Sequence, residues 1–166
     1  STHQASGRTS QSDMIEFSQC EFSDVFGIWR NLLWPDRESA IESHSAMTWP
    51  WSDQPEYDMS VFEYDATFWC ARSGSDIIAV NSGHRTSQTD YRTRGIWVDP
   101  KHRLSDISQT LFALVTAQAV SEHCGRLWSL LRQSAIKAYT KAGFMPRGEY
   151  IETETSDANI YAEKIL

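Results

Sequence analysis

The 166-residue chain has no apolar run that approaches the ~20 residues needed to cross a bilayer, so insertion into a membrane by a helix is excluded. Basic residues are scarce: 15 Lys and Arg stand against 22 Asp and Glu, for a formal net charge of -7. Proteins that bind polyanions draw affinity from counterions released by clustered Lys and Arg, so nucleic acid is not an expected partner. Cysteine is scarce too. Cys20, Cys70 and Cys124 are odd in number, far apart and without the CxxC spacing of a zinc or redox site. They read as reduced thiols in a cytoplasmic protein that holds no metal. Internal repeats and low-complexity blocks are also lacking.

What remains is the composition of an ordinary globular protein, 40% hydrophobic and 22% charged. A chain of this length buries about 70% of the surface its unfolded form exposes, enough for one domain around one core. The polar opening, residues 1–13, reads as a tag remnant or flexible tail, and the folded domain is expected over 14–166.

Periodicity orders the elements. A short strand at Met14–Gln19 precedes a helix over Phe22–Trp34, where Val25, Ile28, Trp29, Leu32 and Leu33 recur at helical spacing and Asp24 is a plausible cap. Pro35 ends it, and Arg37–Ser43 is read as a second short helix. The aromatic stretch His44–Tyr64 is irregular. Three β-rich runs, Thr67–Arg72, Ile77–His84 and Tyr91–Val98, suggest an antiparallel meander. After Asp99-Pro100 a long helix shows Ile107, Leu111, Leu114, Val115 and Ala119 on one face, with Gly125 as its stop. A strand at Arg126–Leu131, a helix at Ala135–Ala142 capped by Ser134 and closed by Gly143, and a hairpin of Arg147–Thr153 with Asn159–Ile165 complete the chain. The order is β-α-α-β-β-β-α-β-α-β-β, an α/β (α+β) fold. The strand-helix-strand units imply at least one parallel pairing in a mixed sheet.

That order, with Gly95-Ile-Trp-Val-Asp-Pro-Lys-His-Arg103 and Ser134-Ala-Ile-Lys-Ala-Tyr-Thr-Lys-Ala-Gly-Phe144, resembles the GNAT superfamily of acetyl-CoA-dependent N-acetyltransferases. The later segment carries the family's A-I-x-x-Y-x-K-x-G-F pattern in Ala135, Ile136, Tyr139, Lys141, Gly143 and Phe144. The resemblance implies a single GNAT-like domain that uses acetyl-CoA as co-substrate and no metal. In that reading Tyr139 supplies a proton to the departing CoA thiolate. Without the motif, Tyr139 reads as a core tyrosine of an amphipathic helix.

The resemblance also implies cofactor contacts. Ile96, Trp97 and Val98 would offer backbone groups to the pantetheine arm, as an added strand does. Arg103, Leu104, Ser105, Asp106, Ile107 and Ser108 stand where the family holds pyrophosphate on backbone N–H groups at a helix start. Asp106 and Ser108 occupy two positions where glycine is usual. A carboxylate about 5 Å from a phosphate costs on the order of 1 kcal/mol at water's dielectric, so the direction of the Asp106 side chain decides whether the loop can serve. The same stretch also reads as a capped helix start with no ligand. Arg132 stands where the family often has asparagine, and an arginine can reach a phosphate. Lys141 completes the implied cofactor set.

On the acceptor side no single base is singled out by pattern. His84 leads because its ordinary pKa suits the task, with Asp90, Tyr91 and Glu63 as further candidates. The stretch His44–Tyr64 interleaves Trp49, Trp51, Tyr57, Phe62 and Tyr64 with Asp53, Glu56, Asp58 and Glu63, which suits either a pocket for a cationic amine or a loop that seals the core. The expected function is transfer of an acetyl group to an amine acceptor, small molecule or peptide, by a monomer or homodimer. The alternatives are a GNAT-like binding module that has lost catalysis and an acyltransferase using a different donor.

Overall fold

The computed structural model describes residues 14–103, 105–152 and 157–166. The tail read over 1–13, Leu104 of the phosphate loop and the Thr153 end of the first hairpin strand lie outside the described residues. Seven strands form one sheet: β1 (Ile15–Cys20), β2 (Ala66–Ser73), β3 (Asp76–Arg85), β4 (Asp90–Val98), β5 (Arg126–Arg132), β6 (Met145–Ile151) and β7 (Asn159–Ile165). Their order is β1-β2-β3-β4-β5-β7-β6, antiparallel throughout except for β4 with β5, which pair in parallel. The expected mixed sheet, meander and C-terminal hairpin are therefore present.

Three α-helices cover the sheet among the described residues: α1 (Phe22–Ile28), α2 (Ile107–Ser121) and α3 (Ile136–Lys141). The α1 helix runs on as a π-helical turn, Trp29–Leu33, so the expected helical span is filled to within one residue. Its start is a reciprocal box in which Glu21 is the cap and Asp24 sits inside the first turn, accepting from the Glu21 amide at 2.9 Å. Asp24 is thus part of the cap without being the cap residue.

The helix read over Arg37–Ser43 does not form. The Glu42 carbonyl accepts instead from Arg94 of β4 at 2.9 Å, while Arg37 Nε donates to Ser39 Oγ and the Ser43 hydroxyl meets His44 Nδ1. A short 3-10 turn, Met59–Glu63, appears instead further along. The α2 helix stops at a left-handed His123 (φ 63°) before Gly125 is reached. Gly125 begins the next pairing, its amide donating to Thr89 O.

Apolar side chains divide between the two faces of the sheet. On one face Tyr91, Phe112, Val115, Leu127, Leu131, Tyr139 and Phe144 pack together beneath α2 and α3. On the other, Val25, Trp29, Phe68, Cys70 and Val80 pack beneath α1. Gly95 lets these layers meet at a bulge of β4, where the register against β3 shifts between Val80 and Ser82. It holds φ at +79°, and a Cβ there would lie 2.4 Å from the Trp29 ring. The indole N–H of Trp29 donates to the Gly95 carbonyl at 2.8 Å, which clamps the bulge onto α1.

The parallel pairing of β4 and β5 covers only three rungs, Asp90 with Arg126, Tyr91 with Leu127 and Arg92 with Trp128. Beyond Arg92 the strands part, because β5 continues in full register with β7 while β4 bends at its bulge. The gap leaves one edge of Ile96–Val98 facing a cleft.

Candidate active site

The cleft has a volume of about 680 Å³ and is walled by Ile96, Trp97 and Val98 of β4, Ser105, Ser108 and Phe112 around the start of α2, and Arg132 to Tyr139 at the end of β5 and in α3. A cavity of this size and mixed lining is ordinary for a cofactor-sized molecule.

Tyr139 lines this cleft and is almost fully buried. The helix that carries it is pinned at its C-terminus by Gly143 at φ +100°, with the Phe144 amide bonded back to the Tyr139 carbonyl at 3.0 Å and the Gly143 amide to Thr140 O at 3.0 Å. The phenol ring packs against Phe112 and Phe144, at centroid distances of 4.7 and 5.2 Å. Its hydroxyl lies 3.4 Å from Ser129 Oγ, which itself donates to Thr93 O at 2.8 Å across the gap. Burial raises the Tyr139 pKa above the ordinary phenol value, while the Ser129 contact and the charges of Arg92 and Arg132 act in the opposite direction. The group is a proton donor at neutral pH. Ser134, expected to cap this helix, donates instead to Asp157 at 3.1 Å, and the cap position belongs to Ala135.

The stretch Arg103–Ser108, expected as a phosphate loop, lies along the same cleft, with Arg103, Ser105 and Ser108 in its wall. Asp106 is the cap residue of α2, yet its side chain caps nothing and turns outward to Lys141, whose ammonium is 3.1 Å from Oδ1. Both side chains are largely in solvent. The carboxylate that threatened the loop is therefore neutralised and aimed away, and the N-terminal amides of α2 stay available as every helix start leaves them. Ser105 hydroxyl donates to His102 O, and Arg103 Nε donates to Val98 O at 2.9 Å. Ser108, Arg103 and Arg132 line the cleft, as does Lys137, which sequence reading missed although it lies within the motif helix. Ile107 is buried under α2. Lys141 sits beside the loop as the partner of Asp106 and is not among the lining residues.

His84 occupies a different place. It is fully buried on β3, where Nδ1 lies 3.0 Å from the Arg85 carbonyl and must carry the proton, while Nε2 accepts the Ser45 amide at 3.3 Å. Burial drives its pKa well below the usual value, helped by the charges of Arg94, Arg92 and His44. Its lone pair is engaged and it does not line the cleft. Of the other bases considered, Asp90 is ion-paired with Arg126 at 2.9 Å, Tyr91 is buried with its hydroxyl 3.1 Å from Thr67, and Glu63 is exposed at the end of the 3-10 turn.

The aromatic stretch seals the sheet. Trp49 is 1% exposed and stacks among Trp51, Trp128 and Tyr161 at 4.9 to 6.0 Å. The cation sites over its ring and that of Trp51 are taken by Arg126 and Arg147 from the sheet itself. Asp53, Glu56 and Glu63 stand in water.

The acetyltransferase (GNAT) family profile matches residues 27–144, more than half of the chain. The chain belongs to that family. No curated protein matches the sequence significantly. Solved structures agree on the fold. A GNAT-family acetyltransferase from Staphylococcus aureus Mu50 superposes with a TM-score of 0.63 at 13% identity, covering 92% of this chain and 99% of its own. The ribosomal-protein-S18-alanine N-acetyltransferase of Escherichia coli gives 0.58 at 18% identity, covering 92% and 94%. Nourseothricin acetyltransferase gives 0.62 at 17%, covering 91% and 98%. Among the described residues no helix is long and apolar enough to cross a membrane, and no three His, Cys, Asp or Glu side chains converge as a metal site would require.

Proposed function

We propose that this chain is an N-acetyltransferase that moves the acetyl group of acetyl-CoA directly onto an amine. The observation that carries the reading is the buried, protonated Tyr139 phenol in the wall of a cleft where β4 and β5 part. The residues present fit an acyl-CoA. The edge of Ile96–Val98 that faces away from β3 suits amide groups of the pantetheine arm, and the α2 start with Arg103, Ser108, Arg132 and Lys137 suits phosphates.

Within this frame the residues divide the work. The cleft walls hold the thioester carbonyl beside the gap and supply proximity. The amine lone pair forms a C–N bond at the carbonyl carbon as the C–S bond breaks, and Tyr139 gives its proton to the sulfur. The lining residues include neither a carboxylate nor an imidazole. The proton shed by the amine therefore leaves through water, and an equal one returns to Tyr139.

Calorimetry with acetyl-CoA tests the reading, followed by assay of Tyr139→Phe. Absence of binding at high micromolar concentration overturns it and leaves the module reading in its place. Donor profiling with longer acyl-CoA thioesters separates acetyl from other acyl transfer. The acceptor is a separate matter, since the two neighbours named for their acceptors act on such unlike ones, a ribosomal-protein alanine and nourseothricin.

A further inference from the structure

Successive residues of β4 point to opposite faces of the sheet. Tyr91 packs beneath α2, whereas Arg92 stacks over Trp128 at 4.9 Å and Arg94 over Trp29 and Trp34 at 5.0 and 5.4 Å, on the α1 side. The two arginines are 7% and 5% exposed. Among the described residues neither lies within ion-pair distance of a carboxylate. Arg92 Nε and Nη1 are buried with no hydrogen-bond partner, and Arg94 donates to the Glu42 carbonyl at 2.9 Å.

This is a costly arrangement. A guanidinium carries five donors and a charge, and burying them with no carboxylate in reach forfeits hydration that stacking on indoles and one carbonyl only partly return. A methionine at position 92 would fill similar space against Trp128 without that penalty, so packing alone does not account for the pair. The neighbouring charges make matters worse. Desolvation brings Arg92 down to about 10 and Arg94 well below its usual value, and Arg37 together with Arg92 adds repulsion at Arg94. The charge of Glu42 acts the other way at Arg94 but from beyond ion-pair distance, and what the pair lacks is a carboxylate in direct contact. The pair's position is also telling, because Arg92 occupies the last paired rung before the strands part, and its charge is felt at the Tyr139 hydroxyl.

We propose that the acceptor is a small amine bearing an oxyanion, a carboxylate or a phosphonate, which Arg92 and Arg94 bind on the α1 side of the β4/β5 gap while the amine faces the cleft. The proposal rests on the acetyltransferase reading and departs from one of the two sequence readings of the His44–Tyr64 stretch, that of a pocket for a cationic amine. Asp53, Glu56 and Glu63 of that loop stand in water and its rings already hold arginines, while Arg92 beside the gap keeps two buried donors without partners.

The test follows CoA thiol release with the common amino acids, their carboxamides, 2-aminoethylphosphonate and spermidine, with acetyl-CoA binding measured separately by calorimetry. The expected result is a preference of about 10- to 100-fold in kcat/KM for an amino acid over its carboxamide, the range that charge-assisted bonds give. In Arg92→Met that preference collapses, mainly through acceptor KM, and in Arg92→Lys it is partly kept. A merely structural arginine would lower both substrates alike. The amino acids and the aminophosphonate separate the two oxyanion sources. Equal use of carboxamides or spermidine, or acetyl-CoA binding with no turnover of any oxyanion-bearing amine, overturns the proposal and leaves the acetyltransferase reading standing. Failure to bind acetyl-CoA removes that reading and the proposal with it.

Discussion

The two faces of the sheet at the β4/β5 gap differ in chemistry although the same strand builds both. On the α2 side Tyr139 lies in an aromatic packet with Phe112 and Phe144, its hydroxyl steadied by one serine. On the α1 side Arg92 and Arg94 lie on indole rings, buried and without carboxylate partners. The alternation of side chains along a strand lets adjacent residues face different partners, so a donor and an acceptor can meet at one opening from opposite directions. Burial acts oppositely on the charge states it meets. It keeps the phenol protonated, which suits proton donation, and it leaves the guanidiniums in need of an anion.

Removing the phenol separates the faces most sharply. Tyr139→Phe is expected to lower kcat by about 10²- to 10⁴-fold with acetyl-CoA binding little changed, measured by steady-state assay and calorimetry. An unchanged kcat would reduce Tyr139 to a packing residue. Next comes the joint between the layers: Gly95→Ala places a methyl into the Trp29 ring at a positive φ and should destabilise by about 2–4 kcal/mol, read from urea midpoints.

His84 gives a pH signature. Its folded pKa lies below the unfolded value of 6.5, so below that pH the unfolded chain binds the proton that the folded one refuses. The contribution is complete above about pH 6.5 and declines as pH falls, by at most about 1.4 kcal/mol per pH unit. Urea midpoints between pH 7.5 and 5.5 should show this loss, and His84→Gln should flatten it. A kinetic inflection near pH 6.5 that vanished in the same variant would instead make His84 a base.

The smallest effect belongs to the loop. Asp106 forms an exposed pair with Lys141, worth about 0–1 kcal/mol, so Asp106→Gly should change acetyl-CoA affinity by at most about fivefold in calorimetry. A large gain would mean that the carboxylate does oppose the phosphates.

Much of the fold was legible because its signals are local. The period of α2, the Gly143 stop behind Tyr139 and the β-rich runs need only near neighbours to act. The helix expected at Arg37–Ser43 does not form, and a carbonyl in that region, Glu42 O, is taken by Arg94 from a distant strand; the stop at His123 preceded Gly125 because a non-glycine residue took the left-handed turn. The cleft residues named by motif, Tyr139, Ser108 and Arg132, do come together. Lys137 lay inside the motif at a position without a fixed identity. Ser129 and Arg92 carried no motif, since what distinguishes them is a partner on another strand.

The sequence by itself determined the order of the strands, the long helix α2 and the pinned helix of Tyr139, because capping, periodicity and glycine conformation act within a few residues. Only the tertiary structure decided that Asp106 turns to Lys141, that His84 spends its lone pair on Ser45, and that two arginines are buried without acids. Each of those outcomes depends on which charge or donor from a distant segment stands within a few ångströms, and that is a property of the packed chain.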